Sequence, residues 1–484
     1  MRLAFGEDSC PERKIHCQPT PRKFWCCFAY GPHLIHDDRV IVQLAMSPNT
    51  MKDQQQIEIV RMAHGGDGIG YLEDGRIVFV PTTLPGEVVD IELVELKKSY
   101  AKGRVVEIVE ASPERVDSEC PYFPKCGGCQ FWHTTYEHEV ELKTEAAWQT
   151  ISRISKLDLP EARVVAAPED RRYRSRVTFH RAPAGEGQGW KIGFYRANSS
   201  ELLDINDCLI TDGLLNEVRR ALEPALRDVG DCDFILETAD EESVVVTLMP
   251  ERNLRTKMPP SLKTFLQTLD QNPTVRGLRV VGEDEDVVFG DITVDGEEVL
   301  ARPPVDAAHV PSANFRQSYR DMNGQLVDEV SGIIDRLGAT SVIELFCGNG
   351  NFSFALPDRV ERFVGLEANP AAIESAKGLA KLARLDGYSF RVADLSEGFV
   401  EPLDEMVDDF DLVLLDPPRA GASEVCDELA QYQHLEAIVY VSCDPACLGR
   451  DLKTLTNGGW EVESLTMFDM FPRTSHIETV AVLR

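Results

Sequence analysis

Val342-Ile343-Glu344-Leu345-Phe346-Cys347-Gly348-Asn349-Gly350-Asn351 decides the fold of the C-terminal part of this chain. Its first half is a β-prone apolar run broken by one acid, as in a strand buried on both faces. Its second half is spaced by glycines, which let the backbone come close to a ligand that side chains would block. Glu367 closes the next strand-like run, Phe363-Val364-Gly365-Leu366, 17 positions after Gly350. A carboxylate there can accept hydrogen bonds from both hydroxyls of a ribose. Asn351 and Phe352 break the spacing to the third glycine of a dinucleotide fingerprint. S-adenosylmethionine (SAM), which has no pyrophosphate to cradle, fits this variant.

Outward from that loop the pattern repeats. Ala371 to Leu385 reads as a helix, and Leu412-Val413-Leu414-Leu415 and Ile438-Val439-Tyr440-Val441 read as buried strands. Strand and helix alternate from about 305 to 484, which predicts a doubly wound, Rossmann-like α/β SAM methyltransferase domain with ligands at the carboxyl ends of its strands. Asp394 ends the strand after Glu367 and reads equally as a contact for an adenine amino group or as a helix N-cap.

Three polar motifs lie at strand ends in this domain: Asp416-Pro417-Pro418-Arg419-Ala420-Gly421, Ser442-Cys443-Asp444-Pro445, and Pro472-Arg473-Thr474-Ser475-His476-Ile477-Glu478. A thiol has a specific use beside SAM. Carbon 5 of uracil is not nucleophilic, but thiolate addition to carbon 6 makes it so, dividing one hard step into two easier ones. The proton on carbon 5 must then be removed, and Glu478 is the candidate base for the nucleophile Cys443. Asp416 can orient the uracil or the methionine end of SAM, and Arg419 can offset charge on the uracil oxygens. Amino-group methylation competes weakly, because its Asp-Pro-Pro-Tyr type motif has an aromatic ring where Arg419 stands. A buried structural thiol is the plainer reading of Cys443, and it is the reading for Cys347 and Cys447.

The chain has 484 residues, too many for one core. With 43% hydrophobic and 27% charged residues it has the composition of an ordinary globular protein. No apolar run is long enough to span a bilayer, and Glu7, Asp8, Glu12 and Lys14 interrupt any secretory pattern, so the expectation is a cytoplasmic protein with no membrane partner. Thirteen cysteines in so long a chain, an odd number, argue for metal binding or catalysis over disulfides. A net charge of −31 argues against nucleic acid as a partner on the whole-chain sum. The local field decides, however, and Arg171, Arg172, Arg174, Arg176 and Arg181 concentrate positive charge; a solvated face is the equal alternative.

Residues 1–54 hold Cys10, Cys17, Cys26 and Cys27 with no sustained period, and are expected to be disordered or a mis-called extension; Met51, just before the first clean strand, makes a sensible start. From 55 to 112 the pattern is β. Ile57-Glu58-Ile59-Val60 is followed by a turn bearing Gly65, Gly66, Gly68 and Gly70, then Ile77–Val80, Val88–Leu93 and a last strand from Gly103 to Val109. This spacing suits a small OB-type barrel. Residues 113–304 read as a central α+β insert, with a polar helix from Thr135 to Ile154 that can pack on the catalytic domain. Cys120, Cys126 and Cys129, with Cys208 far along the chain, can hold either zinc or a [4Fe–4S] cluster, although the five-residue gap is unusual for a zinc ribbon.

Phe79-Val80-Pro81 with Leu84-Pro85-Gly86-Glu87 resembles the TRAM domain, an RNA-binding OB fold. Residues 56–484 as a whole resemble the RNA uracil-5-methyltransferase family, the TrmA, RlmC and RlmD group, on the pairing of Ser442-Cys443-Asp444-Pro445 with His476-Ile477-Glu478. The resemblance implies Cys443 as nucleophile and Glu478 as base. It implies SAM contacts at Gln317, Phe346, Asn351, Glu367, Asp394 and Asp416. It favours a [4Fe–4S] cluster on Cys120, Cys126, Cys129 and Cys208. The barrel together with the cysteines resembles the 23S rRNA members more than the bacterial tRNA enzyme, so the expected partner is RNA, rRNA over tRNA, with the enzyme a monomer. The chain departs from the family at Tyr319 and Asp444, where asparagine is frequent, and at Asp394, where some members have asparagine. A non-catalytic RNA-binding protein would have no use for Cys443 with Glu478, and an enzyme for small molecules or proteins would need no barrel.

Overall fold

The computed structural model describes residues 54–185, 189–251, 258–268, 274–282, 286–295, 309–311, 317–396, 398, 410–432 and 434–484. The four N-terminal cysteines and Met51 lie outside the described residues.

The C-terminal sheet has eight strands among these residues, in the order Tyr388–Val392, Arg362–Glu367, Ser341–Leu345, Leu412–Leu415, Ala437–Ser442, Glu478–Leu483, Val462–Phe468 and Ala162–Val165. The first five are mutually parallel, and Glu478–Leu483 runs antiparallel to both its neighbours. Strand side chains alternate between two cores. Val342, Phe363, Leu412, Val439 and Val482 face one, with Leu326 and Ile333 from the helix Arg320–Leu337 and Ile373 from Pro370–Leu382. Ile343, Val364, Val413, Ile438 and Ala481 face the other, with Ile151, Val425 and Leu452 from the helices Tyr136–Ser155, Ser423–Leu429 and Pro445–Asn457. That two-sided burial explains why these strands read as unbroken apolar runs.

The Tyr136–Ser155 helix and the edge strand Ala162–Val165 precede the central sheet in sequence, yet both build this C-terminal layer. The helix starts at a Thr135 cap, whose side chain accepts from the His138 backbone at 3.3 Å. It approaches Pro445–Asn457 so closely at Gly449 that a Cβ there would lie 2.9 Å from the Ile151 carbonyl oxygen. Read from the sequence as polar, the helix carries Glu139 and Lys143 on its buried face.

Between them lies a seven-stranded sheet, Leu202–Asp204, Trp190–Tyr195, Arg176–Pro183, Cys232–Thr238, Val244–Pro250, Val275–Val280 and Val287–Gly290, with helices Gly213–Leu222 and Pro260–Thr268 contributing to its core. At the N-terminus a six-stranded sheet curls round Ile57, Val78, Val80, Val89 and Ile91. Its third strand, Asp67–Tyr71, occupies what the sequence suggested was a glycine turn. The glycines serve close approach instead. A Cβ on Gly68 would lie 2.1 Å from Thr83 Oγ1, and one on Gly70 2.7 Å from the Glu58 carbonyl oxygen.

Candidate active site

The antiparallel register between Ala437–Ser442 and Glu478–Leu483 places the two central groups. Ile438 pairs with Leu483, and each step inward on one strand is a step back on the other, ending at Ser442 with Thr479. One further step along that register sets Cys443 opposite Glu478. The parallel ladders align Leu345 with Leu415 and Leu415 with Tyr440, so Phe346, Asp416 and Cys443 all leave their strands at the carboxyl end.

The charges follow the same grouping. Burial pushes the Cys443 thiol well up, and the carboxyls of Glu478 and Asp416 push it further, while Arg419 acts the other way. Glu478 is itself 6% exposed, and burial and then Asp416 raise its carboxyl far above the ordinary range against the pull of Arg419. Asp416 is pushed up to about 7 by burial and by Glu367. One guanidinium thus serves a thiol and a carboxyl. Arg419 also meets His476 Nε2 at 3.4 Å, and His476 is driven down to about 3 by burial first and Arg419 next, so the imidazole is neutral at working pH.

The cofactor loop turns through three left-handed residues, Phe346, Gly348 and Gly350, at φ of 63°, 55° and 99°. Gly350 is obligatory, because a Cβ would lie 2.3 Å from the Phe354 ring. Glu367 accepts from the Gly348 backbone at 3.2 Å and from that of Asn369 at 2.8 Å, which fixes its carboxylate at the strand end. Asn351 exchanges two amide hydrogen bonds with Asn323, at 2.9 and 3.1 Å. Buried Glu344 Oε1, on the strand before the loop, and Asn349 Nδ2 in it have no partner among the described residues. Gln317 is half-buried just before the helix Arg320–Leu337. Asp394 is exposed and accepts from the Ser396 backbone at 3.0 Å in a local turn, with no described helix for it to cap.

Two of the three departures from the family pattern, Tyr319 and Asp444, have structural roles. Tyr319 stacks on Tyr173 at 4.5 Å and its hydroxyl donates to the Glu169 carbonyl at 2.9 Å. Asp444 caps Pro445–Asn457, accepting from Ala446 and Cys447 backbone N–H groups at 2.9 and 2.8 Å.

Most arginines of the stretch, read from sequence as an RNA grip or a solvated face, have acidic or aromatic partners. Arg171 pairs with Glu119 at 2.5 Å, Arg172 with Asp207 at 2.7 Å and Arg176 with Glu237 at 2.9 Å, while Arg181 is 3% exposed and lies 3.6 Å from the Trp190 ring centroid. Acidic partners far along the chain consume the charge. Arg174 is the exception in direction, since it lies 5.9 Å from the Phe471 ring, which meets His476 edge-on.

Cys120, Cys126, Cys129 and Cys208 line a single small cavity with Phe123 and Trp132. Burial first, then the neighbouring thiols, pushes Cys126 up to about 11 and Cys129 well up. The Gly128 backbone donates to Cys126 Sγ at 3.5 Å. No group of three or more His, Cys, Asp or Glu among the described residues is arranged to hold a metal ion as it stands.

Sequence reasoning missed a buried network under the catalytic loop. Lys143 Nζ donates to Asp469 at 2.5 Å and to the Phe471 carbonyl at 3.2 Å, and Glu139 accepts from the Arg473 backbone at 2.6 Å. Its signal, an i,i+4 Glu–Lys pair on a helix, reads from sequence as a solvated face. His64, from the N-terminal sheet, also stands within the field of Asp444, Lys143 and Arg419.

Comparison with known proteins places the chain in a family. The profile of the tRNA (uracil-5-)-methyltransferase family matches residues 135–484 and that of the TRAM domain matches 53–106. An uncharacterized RNA methyltransferase of Halalkalibacterium halodurans is 32% identical over 459 residues, 90% of this chain and 98% of that protein. The 23S rRNA (uracil(1939)-C(5))-methyltransferase RlmD of Chromohalobacter salexigens is 32% identical over 440 residues, 88% of each chain. The structure of Pyrococcus abyssi tRNA (uracil-54, C5)-methyltransferase in complex with S-adenosyl-L-homocysteine superposes with a TM-score of 0.65 at 25% identity, covering 88% of this chain and 100% of that one. With the family profile covering residues 135–484 and a TRAM domain ahead of it, this chain belongs to the tRNA (uracil-5-)-methyltransferase family.

Proposed function

We propose that this enzyme methylates carbon 5 of a uridine in 23S rRNA, with Cys443 as nucleophile and Glu478 as base. The observation that carries the reading is the strand register that opposes these two residues beside Asp416 and Arg419. Attack requires the Cys443 thiolate, which burial disfavours and Arg419 favours. The sulfur bonds to carbon 6, and the ring electrons move toward carbon 5 and the carbonyl oxygen at carbon 4. SAM, when bound, supplies the electrophilic methyl that carbon 5 takes. Glu478 then removes the carbon 5 proton, the ring double bond re-forms and the carbon–sulfur bond breaks. Proton removal requires Glu478 as carboxylate, so Arg419 supports both halves of the reaction. A uridine in folded RNA must leave its stack to reach this site.

Gln317, Phe346, Asn351, Glu367, Asp394 and Asp416 are the proposed SAM contacts. Glu367, held by two backbone N–H groups at the end of its strand, fits the ribose hydroxyls. The unpaired Glu344 Oε1 fits a cationic amine.

The four thiols at the central cavity are proposed to hold a [4Fe–4S] cluster. Burial and neighbouring thiols disfavour ionisation of Cys120, Cys126 and Cys129, and a cationic iron–sulfur core reverses that balance. Its role is structural.

Ribosomal RNA is favoured by relatives named as 23S rRNA enzymes at about 30% identity over most of the chain. The tRNA reading is favoured by the Pyrococcus abyssi structure. Incubating the enzyme with labelled SAM and either unmodified 23S rRNA or unmodified tRNA, then mapping the product by mass spectrometry, decides. Methyl on an rRNA uridine alone supports the proposal, and methyl on tRNA alone overturns the substrate.

A further inference from the structure

We propose that Arg473 is a positioning residue for Glu478, clamping the loop of residues 469–477 in a strained shape that aims the carboxyl at the reacting ring. Thr479 is fixed in the sheet by Ser442 on one side and Met467 on the other, whereas Glu478 pairs only with Phe468. Glu478 is the first residue of its strand, so the register places it and the loop before it shares in fixing its direction.

At the centre of that loop Arg473 has φ of +69° and is 5% exposed. A left-handed backbone is strained for a non-glycine residue, and it persists where the surroundings over-determine it. Here they do. Glu139 Oε1 accepts from the Arg473 backbone N–H at 2.6 Å, and the Arg473 carbonyl accepts from both Gln130 and Phe131, at 2.8 and 3.1 Å. The guanidinium donates to the Thr134 carbonyl at 3.1 Å, pairs with Asp170 and lies 4.8 Å from the Trp132 ring centroid. Each flank is held from the same side. The Tyr173 hydroxyl donates to the Pro472 carbonyl at 2.9 Å, and Gln130 Oε1 accepts from the Ser475 backbone at 3.0 Å. Glycine would sit at this φ without strain, but it has no guanidinium to anchor. Buried ion networks of this kind contribute little net stability and are better understood as fixing one conformation.

The inference rests on Glu478 being the base. In the release step its carboxylate takes the carbon 5 proton, the freed electron pair re-forms the carbon 5–carbon 6 double bond, and the carbon 6–sulfur bond breaks to return the Cys443 thiolate. Addition and methyl transfer do not use that base, so a loosened loop slows release selectively. A merely structural residue would slow every step together.

The test is single-turnover methylation of RNA by Arg473→Lys and Gln130→Ala, following methyl incorporation and the protein–RNA adduct on a denaturing gel. Gln130→Ala removes one loop anchor without uncovering a buried charge, so it decides the matter if Arg473→Lys does not fold. Release is expected to slow by on the order of tenfold to a hundredfold, part of the ~10²–10⁴-fold that a positioned base supplies, while methyl transfer stays near wild type. Equal slowing of both steps, or no adduct above wild type, overturns the positioning role. Glu478→Gln run alongside separates the two ideas. An adduct there but not in the loop variants leaves the base assignment intact, and no adduct in any of them defeats the base assignment itself.

Discussion

Replacing Glu344 by glutamine is expected to stabilise the protein increasingly as pH rises, and to weaken its hold on SAM. Glu344 is 1% exposed on the strand that leads into the cofactor loop. The Ser353 hydroxyl donates to Oε2 at 2.5 Å, and Oε1 has no partner among the described residues. Burial, reinforced by Asp416, pushes its carboxyl from 4.5 up to about 8. Such a group binds its proton more tightly folded than unfolded, so its contribution is fully present below pH 4.5 and is lost as pH rises toward 8. At about 1.36 kcal/mol per pH unit, keeping it neutral at pH 7 costs about 3 kcal/mol. Glutamine escapes that cost but brings an amide N–H without an acceptor, a penalty of about 1–3 kcal/mol. The net gain at pH 7 is therefore about 0–2 kcal/mol. The slope is the sharper quantity, since the gap between variant and wild type should widen by about 1.4 kcal/mol per pH unit from pH 5 to 8. Urea denaturation of both proteins across that range, with SAM affinity measured in parallel, provides the assay. A stability difference that does not change with pH would refute the reasoning, because the buried carboxyl would then carry no linked proton. Loss of cofactor affinity alongside the gain in stability would identify the acid as a functional group kept at a stability cost.

Other outcomes follow from named contacts. Cys443→Ala should abolish methyl transfer while leaving SAM binding intact, measured by calorimetry and by turnover on RNA. Protein purified without oxygen should be brown and contain iron and sulfide. Cys208→Ser should lose both, and a colourless, zinc-bearing wild type would overturn the cluster. Gly449→Ala should lower stability by about 1–3 kcal/mol through overpacking against Ile151, seen in thermal denaturation, without changing SAM affinity.

The catalytic sheet was legible because burial on two faces writes long apolar runs, and its loop because glycine positions and an acid at fixed spacing answer to one ligand shape. The N-terminal sheet was legible except for Asp67–Tyr71. Glycines there serve close packing against Thr83 and Glu58, and from sequence alone that looks the same as a turn. The partners of the arginine stretch were hidden for a different reason. Local charge density says nothing of Glu119, Asp207 and Glu237, which lie 52, 35 and 61 positions away from the arginines they meet. Lys143 and Asp469 are 326 positions apart, so the buried network beneath the catalytic loop could not be read from the helix that starts it. Cys443 and Glu478 were found as motifs, and their juxtaposition is a property of strand register that the sequence does not carry.

The most direct measurement is mass spectrometry of Glu478→Gln protein incubated with SAM and substrate RNA, then digested with protease and nuclease. The account predicts a peptide containing Cys443 that carries one methylated uridine nucleotide, joined through sulfur. Intact, unmodified Cys443 in that sample, or full methylation of RNA by Cys443→Ala, would contradict it.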